Sequence, residues 1–288
     1  MLSYVDGRYI PFPINLDTIR ELFGVSISIN EMEEFLQKEV EKSTYNDPPK
    51  NFRDVIVSQV GERLYETFFK NYTIKQWEKD PEELSPEVAK RIPIRFSRDD
   101  RYFSDKYQGI PERGYTDLVN KMLDHENITV MLGADYFEVR DLFKPKLLVY
   151  TGELDRFFDY AYGKLEYRSL RFECRTYDVE YYQPVAVVNY PNDYDFTRIT
   201  EYKYFLGENS EKTTVCFEYP KSEGIPYYVV LTKENEEKRE KYMKEVEKLE
   251  KSGEYLFIGR LAEYKYYNMD QAIKMSMEKV KNWLKNFG

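Results

Sequence analysis

The segment YTIKQW, Tyr72 to Trp77, sets a phenol, a hydroxyl, an ammonium, an amide and an indole within six residues. The chain has only two tryptophans. One of them placed among polar groups marks either a half-wet packing position or a surface on which a flat ligand stacks. Elimination narrows the chemistry available elsewhere. His125 is the only histidine, which removes Ser-His-Asp and Cys-His catalysis. Cys174 and Cys216 are the only cysteines, too few for a disulfide framework or a Cys/His zinc cluster. An enzyme built from this chain must therefore work with carboxylates, tyrosines, arginines or a cofactor.

Composition points the same way. The aromatic share of 17% is carried by 28 Tyr and 18 Phe. Tyrosine rings bury their bodies and keep a polar tip, which suits a half-buried core and equally a wet ligand site. A formal net charge of −9 argues against binding nucleic acid, which needs clustered Lys and Arg to neutralise phosphates. The start MLSYVDGRYIPFPIN has no apolar run behind a basic head, and nowhere do about 18 apolar residues run together. The expectation is a soluble chain with no secretion signal and no membrane partner. The low cysteine count favours a reducing compartment, hence the cytoplasm.

The elements that must position these groups can be read in order. At 288 residues, two or three packed units are expected. VDGRYIPFPI holds an Asp-Gly turn between β-prone runs and predicts a hairpin. LDTIRELFG, NEMEEFLQKEVEK and FRDVIVSQVGERLYETFFKNY carry helical apolar spacing, the last continuing to Tyr72, so residues 16–90 form a helical unit. From Arg91 the texture changes to turn-rich sequence, a helix in TDLVNKMLDH, a short strand in ITVML and a strand in KLLVYTG. Thr151-Gly152 stands where that strand hands over to the helix ELDRFFDYAYG, either as a plain turn or as a place where backbone approaches a cofactor. Between Leu165 and Val230 the alternating runs YRSLRFECRTYDV, PVAVVNY, TRITEYKYF, TTVCFEYP and YYVVL predict an antiparallel sheet. A charged helix with the stripe Tyr242, Val246, Leu249 follows, then strand, loop and amphipathic helix. No GxGxxG run, the phosphate-binding turn of a dinucleotide fold, occurs in these residues.

Five segments, LYETFFKNYTIKQWEKDPEEL, RIPIRFSRDDRYFSDKYQGIPERGYTDLV, YTGELDRFFDYAYGKLEYRSL, FTRITEYKYF and GRLAEYKYYNMDQAI, resemble in order and spacing the UDP-galactopyranose mutase family of flavoenzymes. The resemblance covers nearly the whole chain. It implies an α/β (mixed α+β) fold: an incomplete FAD/NAD(P)-binding Rossmann-like domain with an inserted helical domain and an antiparallel β-sheet domain. The helical domain would be residues 16–90. The sheet domain would take 1–15, 91–110 and 165–232, and the FAD-binding remainder 111–164 and 233–288. Family members begin with a Gly-rich FAD-binding βαβ unit, and the resemblance here starts just after it. A separate chain supplying that unit and a homodimer are the two partners considered.

The resemblance further implies interconversion of UDP-galactopyranose and UDP-galactofuranose through a covalent adduct with reduced FAD, in a pathway to cell-surface polysaccharide. A noncatalytic UDP-sugar-binding protein is the alternative. Phe68 and Tyr72 would flank the uracil, with Thr73 and Trp77 lining the pocket; four apart on a helix, the two rings can approach a base together. Arg91 and Arg198, with Tyr102, one of Tyr227 and Tyr228, and Tyr266, would hold the diphosphate. A guanidinium fork pairs with phosphoryl oxygens, and phenols add neutral donors. Thr151, Gly152 and Arg260 would lie on the flavin side. Where the family commonly has an aspartate, this chain has Asn268, which keeps hydrogen bonding without the charge.

Overall fold

Asp6 and Gly7 both hold positive φ, 50° and 76°, as a two-residue type I′ turn requires, and strand β1 (Leu2–Val5) folds back on β2 (Arg8–Pro11). The hairpin predicted from the Asp-Gly pair is thus present in the computed structural model, which describes residues 1–288. Helix α1 (Leu16–Phe23) starts on Asn15, whose side chain accepts from the Thr18 amide. Helix α2 (Ile29–Glu41) starts on Ser28, whose amide donates to Glu31, and α3 (Phe52–Val60) starts on Asn51, which caps the Asp54 amide. The side-chain caps of Asn15 and Asn51 each stabilise their helix by about 1 kcal/mol.

The period expected to run unbroken from Phe52 to Tyr72 is interrupted twice. Gly61 sits at φ 80°, and a Cβ there would fall 2.7 Å from the Glu39 backbone of α2. Only glycine admits both that dihedral and that approach. The chain restarts as α4 (Glu62–Tyr65), widens into a π-helical turn over Glu66–Lys70, and ends as α5 (Asn71–Trp77). Single π turns inside helices recur at functional sites because they re-aim side chains.

Downstream come α6 (Gly114–Leu123), the one-turn α7 (Tyr136–Val139), strand β3 (Leu148–Tyr150), α8 (Leu154–Phe157), and strands β4 (Tyr167–Tyr177), β5 (Val187–Asn189) and β6 (Arg198–Glu201). After these follow α9 (Lys203–Leu206), β7 (Thr213–Lys221), β8 (Tyr228–Val229), the long α10 (Lys233–Glu250), β9 (Tyr255–Phe257) and α11 (Met269–Phe287). Seven strands form one sheet in the order β2-β1-β5-β6-β7-β4-β8. Every pairing in it is antiparallel except β1 with β5. The fold is mixed α/β, with β3 and β9 forming a separate parallel pair. A core of 32 buried residues runs from the hairpin through α1 to α5 into β3, β8, α10 and β9. Tyr242 and Val246 on the inner stripe of α10 are fully buried in it, and Leu249 packs against it. No helix is long and apolar enough to cross a membrane.

Three local expectations need correction. ITVML is not a strand: residues 128–132 lie exposed with no strand beside them, and an unpaired β-run has no ladder to stabilise it. The helix in ELDRFFDYAYG stops at Phe157, because Asp159 and Tyr160 take positive φ, and Asp155 accepts from the Leu165 amide at 2.8 Å and the Tyr167 hydroxyl at 3.0 Å. TRITEYKYF is strand only over Arg198–Glu201: Lys203–Leu206 turn into α9, which ends on Gly207 at φ 62°. Cys174 and Cys216, too few for a framework as expected, stand directly opposite each other on β4 and β7 and form a single disulfide.

Candidate functional site

A cavity of about 620 Å³ opens between the helical unit and the large sheet, within the size range of small-molecule sites. Its helical wall is the π turn and α5. Phe68 and Phe69, consecutive residues of the wide turn, both reach the lining, and both pack on Phe12 with ring centroids 6.0 and 5.8 Å away. Tyr72, Thr73, Gln76 and Trp77 continue the wall. Trp77 is 5% exposed and belongs at once to the core and to the lining, which joins the two readings its neighbourhood allowed.

The sheet wall is a polar ladder. Register places Asn189, Arg198 and Glu218 side by side on β5, β6 and β7. The Arg198 guanidinium donates to the Tyr72 hydroxyl at 3.1 Å and to Asn189 Oδ1 at 3.3 Å, and lies 3.9 Å from the Glu218 carboxylate. The Tyr72 oxygen first, and Glu218 behind it, outweigh burial and hold the arginine above its ordinary pKa, so it stays charged.

Aromatic rings stacked with guanidinium groups make the third wall. Tyr228 and Tyr266 lie nearly parallel, 7° apart with centroids at 5.9 Å, and Trp77 meets both edge-on. The Arg91 guanidinium stacks 4.0 Å over Tyr266, and that of Arg260 stands 4.9 Å from Tyr266 and 5.5 Å from Tyr228. Such contacts contribute about 0.5–2 kcal/mol each, depending on desolvation. Arg260 also donates to the carbonyls of Tyr227 and Tyr267, which fixes its direction. Burial pushes the Tyr228 phenol up to about 12 and raises Tyr102 and Tyr266 as well, so all three remain neutral hydrogen-bonding groups at neutral pH. The Arg95 side chain supports Tyr102 by donating to its carbonyl at 3.0 Å.

The cavity therefore gathers Phe68, Tyr72, Thr73, Trp77, Arg91 and Tyr102 from the first half of the chain. From the second half it gathers Arg198, Tyr228, Tyr266, Asn268 and Arg260. Three candidates stand outside it. The Tyr227 ring turns to Phe172 at 6.0 Å, so of the adjacent pair it is Tyr228 that faces the lining. Thr151 and Gly152 follow β3, whose parallel partner β9 leads into Gly259-Arg260; both strand ends thus point to the same edge, but neither residue lines the cavity. A Cβ on Gly152 would fall 2.6 Å from the Tyr150 hydroxyl, so this glycine is small to suit its own chain. Asn268 is the N-cap of α11, its amide donating to the Gln271 side chain at 3.0 Å, a capping role that needs no carboxylate. Sequence reasoning missed Phe69, Gln76, Asn189 and Glu218. For the last two, the signal was their strand neighbourhood to Arg198, visible only once register is known.

Arg91, Arg198 and Arg260 face Glu218 alone, so the lining is net cationic in a chain of net charge −9. Fold and site define an α/β protein with an arginine- and tyrosine-lined cavity suited to an anionic, ring-bearing metabolite. The family model of UDP-galactopyranose mutase matches residues 67–266. A probable UDP-galactopyranose mutase of Klebsiella pneumoniae is 39% identical over 97% of this chain and 72% of its own length. A dTDP-fucopyranose mutase of Escherichia coli is 37% identical over 97% of this chain and 76% of its own. The crystal structure of a reduced UDP-galactopyranose mutase superposes with a TM-score of 0.71 at 16% identity, over 99% of this chain and 78% of that one, a likeness of fold. The chain belongs to the UDP-galactopyranose mutase family, which is a family of isomerases.

Proposed function

We propose that this chain interconverts UDP-galactopyranose and UDP-galactofuranose with the help of reduced FAD. The observation that carries the reading is the arginine ladder and tyrosine stack of one cavity, in a chain so similar to a probable mutase of that specificity. Phe68 and Tyr72 offer ring faces to the uracil, with Thr73 and Trp77 beside them. Arg91 and Arg198 hold the diphosphate. As the anomeric carbon–oxygen bond breaks, charge gathers on the departing phosphoryl oxygen, where preorganised guanidinium groups stabilise it most. Tyr102, Tyr228 and Tyr266 add neutral donors, which orient the diphosphate without a full charge pair resisting its return.

The residues fit one end of the cofactor. Arg260, fixed by two carbonyls beside the tyrosine stack, is the group these residues offer to the flavin ring. The chemistry asked of a bound reduced FAD is nucleophilic, at the anomeric carbon, with no net redox change. No side chain in the lining is needed as nucleophile or as histidine base.

The E. coli relative supports a second reading, a dTDP-linked sugar as substrate, since its identity to this chain is nearly that of the K. pneumoniae relative. The deciding measurement is turnover of UDP-galactofuranose and of a dTDP-linked furanose by the protein with dithionite-reduced FAD, followed by chromatography of the sugar nucleotides. UDP-galactopyranose formed at the higher kcat/KM supports the first reading. Preference for the dTDP sugar replaces it, and UDP binding without any turnover returns the chain to a noncatalytic binder. A cytoplasmic location is also proposed, and the Cys174–Cys216 bond argues against it. Counting free thiols in protein purified under alkylating conditions tests that point.

A further inference from the structure

Lys75 lies within the segment that opens the site, one turn beyond Tyr72, yet its side chain does not line the cavity. Its ammonium crosses to the loop joining β5 to β6 and donates to the carbonyls of Tyr190 at 2.5 Å, Tyr194 at 2.8 Å and Phe196 at 3.2 Å. An ammonium has three N–H donors, and here each has a backbone acceptor on one loop. No carboxylate pairs with it; Asp193 and Asp195 of the same loop act only at longer range. Burial pulls Lys75 down to about 8, with those two aspartates working against the pull, so at neutral pH it carries its charge and all three donors. Asn192 adds to the seam, accepting from Asn71 at 3.0 Å and donating to the Thr67 carbonyl at 3.2 Å.

This seam joins the two walls that carry the site. On the helix, the residues beside Lys75 are Tyr72, Thr73, Gln76 and Trp77. On the sheet, the loop that Lys75 grips springs from Asn189 and returns one residue before Arg198. The Tyr72–Arg198 hydrogen bond crosses the gap between those walls. We propose that Lys75 is a positioning residue: a cationic staple that holds α5 against the β5–β6 loop and so sets the distance between the Tyr72 face and the Arg198 guanidinium. A surface lysine would instead be paired with carboxylates or free in water. A lysine serving only to satisfy one stray carbonyl would not span residues on both arms of a loop. Because methionine has no N–H to donate, it fills the space with a chain of similar length but leaves all three carbonyls ungripped.

The inference rests on the proposed role of Arg198 for its effect on ligand, but not for its effect on the loop, and the test separates the two. Hydrogen exchange of segment 188–198 is compared in the parent, Lys75→Met and Lys75→Arg, and UDP affinity is measured by calorimetry in the same three proteins and in Arg198→Ala. Lys75→Met is expected to speed exchange across 188–198 at least tenfold, with amides of α1 and α10 unchanged. It is also expected to weaken UDP about tenfold, and Lys75→Arg to recover most of both losses. Unchanged exchange in Lys75→Met overturns the staple, whatever UDP does. Faster exchange with parental UDP affinity overturns its link to the site. If the parent and Arg198→Ala bind UDP alike, the reading of Arg198 fails, while the exchange data still decide the staple. Should Lys75→Met not fold, Asn192→Ala, which cuts the same seam beside it, must speed exchange in 188–198, or the seam has no holding role.

Discussion

Replacing Arg198 by alanine removes the residue on which the sheet wall converges. It loses the donor to Tyr72 at 3.1 Å, the donor to Asn189 at 3.3 Å and the counter-charge 3.9 Å from Glu218. Asn189 and Glu218 line a cavity open to water, so solvent can take over these contacts, and the melting temperature should stay within about 4 °C of the parent. The effect on a bound diphosphate is different. One charge-assisted hydrogen bond to a phosphoryl oxygen contributes about 1.5–3 kcal/mol, and since ~1.4 kcal/mol is tenfold in rate, kcat/KM should fall about ten- to a hundredfold. Glu218 then adds to the loss, because its carboxylate, 12% exposed, faces the anionic ligand without a neutralising partner. Arg198→Lys keeps the charge but cannot reach Tyr72 and Asn189 together with one fork, so it should fall between parent and alanine. The assay is UDP affinity by calorimetry with kcat/KM for UDP-galactofuranose in the reduced, flavin-supplied protein. Alanine and lysine variants both within twofold of the parent in affinity and turnover would refute the diphosphate clamp.

Trp77 lines the cavity, whereas the Trp283 indole is tied to the Gly253 carbonyl at 2.9 Å outside it, so UDP should quench fluorescence in the parent and in Trp283→Phe but not in Trp77→Phe. A full quench retained by Trp77→Phe sinks the assignment of that ring. Burial pushes the Asp54 carboxyl up, but the Asn46 and Lys50 amides and the Asn46 side chain, each at 3.0 Å, outweigh it and leave its pKa below the ordinary value. Its stabilisation is therefore complete above the ordinary carboxylate range and lost as pH falls through the lowered value. Asp54→Asn should cost about 1–3 kcal/mol at pH 7 and flatten the loss of stability in acid; urea melts between pH 7 and 2.5 that superpose for both proteins would contradict this. Because these residues contain no glycine-rich turn to cradle a pyrophosphate, FAD added to the 288-residue protein should be stripped by desalting. Stoichiometric yellow colour after desalting would show that another set of groups holds it.

Much of the molecule is local and was therefore legible in the residues themselves. The Asp6-Gly7 pair dictates a tight hairpin because few other residues accept two positive φ values in succession. Apolar spacing of three and four marks α1, α2 and α3, and strand alternation marks much of β4 to β8, because in each case one face must be buried. The single histidine excluded whole classes of catalysis by count alone. Tertiary structure decided what depends on register and on partners distant in the chain. Tyr227 and Tyr228 are indistinguishable as letters, yet only Tyr228 enters β8 and lines the cavity, while Tyr227 just before the strand turns its ring to Phe172. Asn189 and Glu218 become partners of Arg198 through pairing across strands, and Lys75 meets its three carbonyls through a loop more than a hundred residues away. ITVML has the composition of a strand but no neighbour to pair with, and Gly61 breaks a regular helical period because α2 lies against it. Propensity acts residue by residue, whereas hydrogen-bond ladders and packed walls need two surfaces, and the second surface is written elsewhere in the chain.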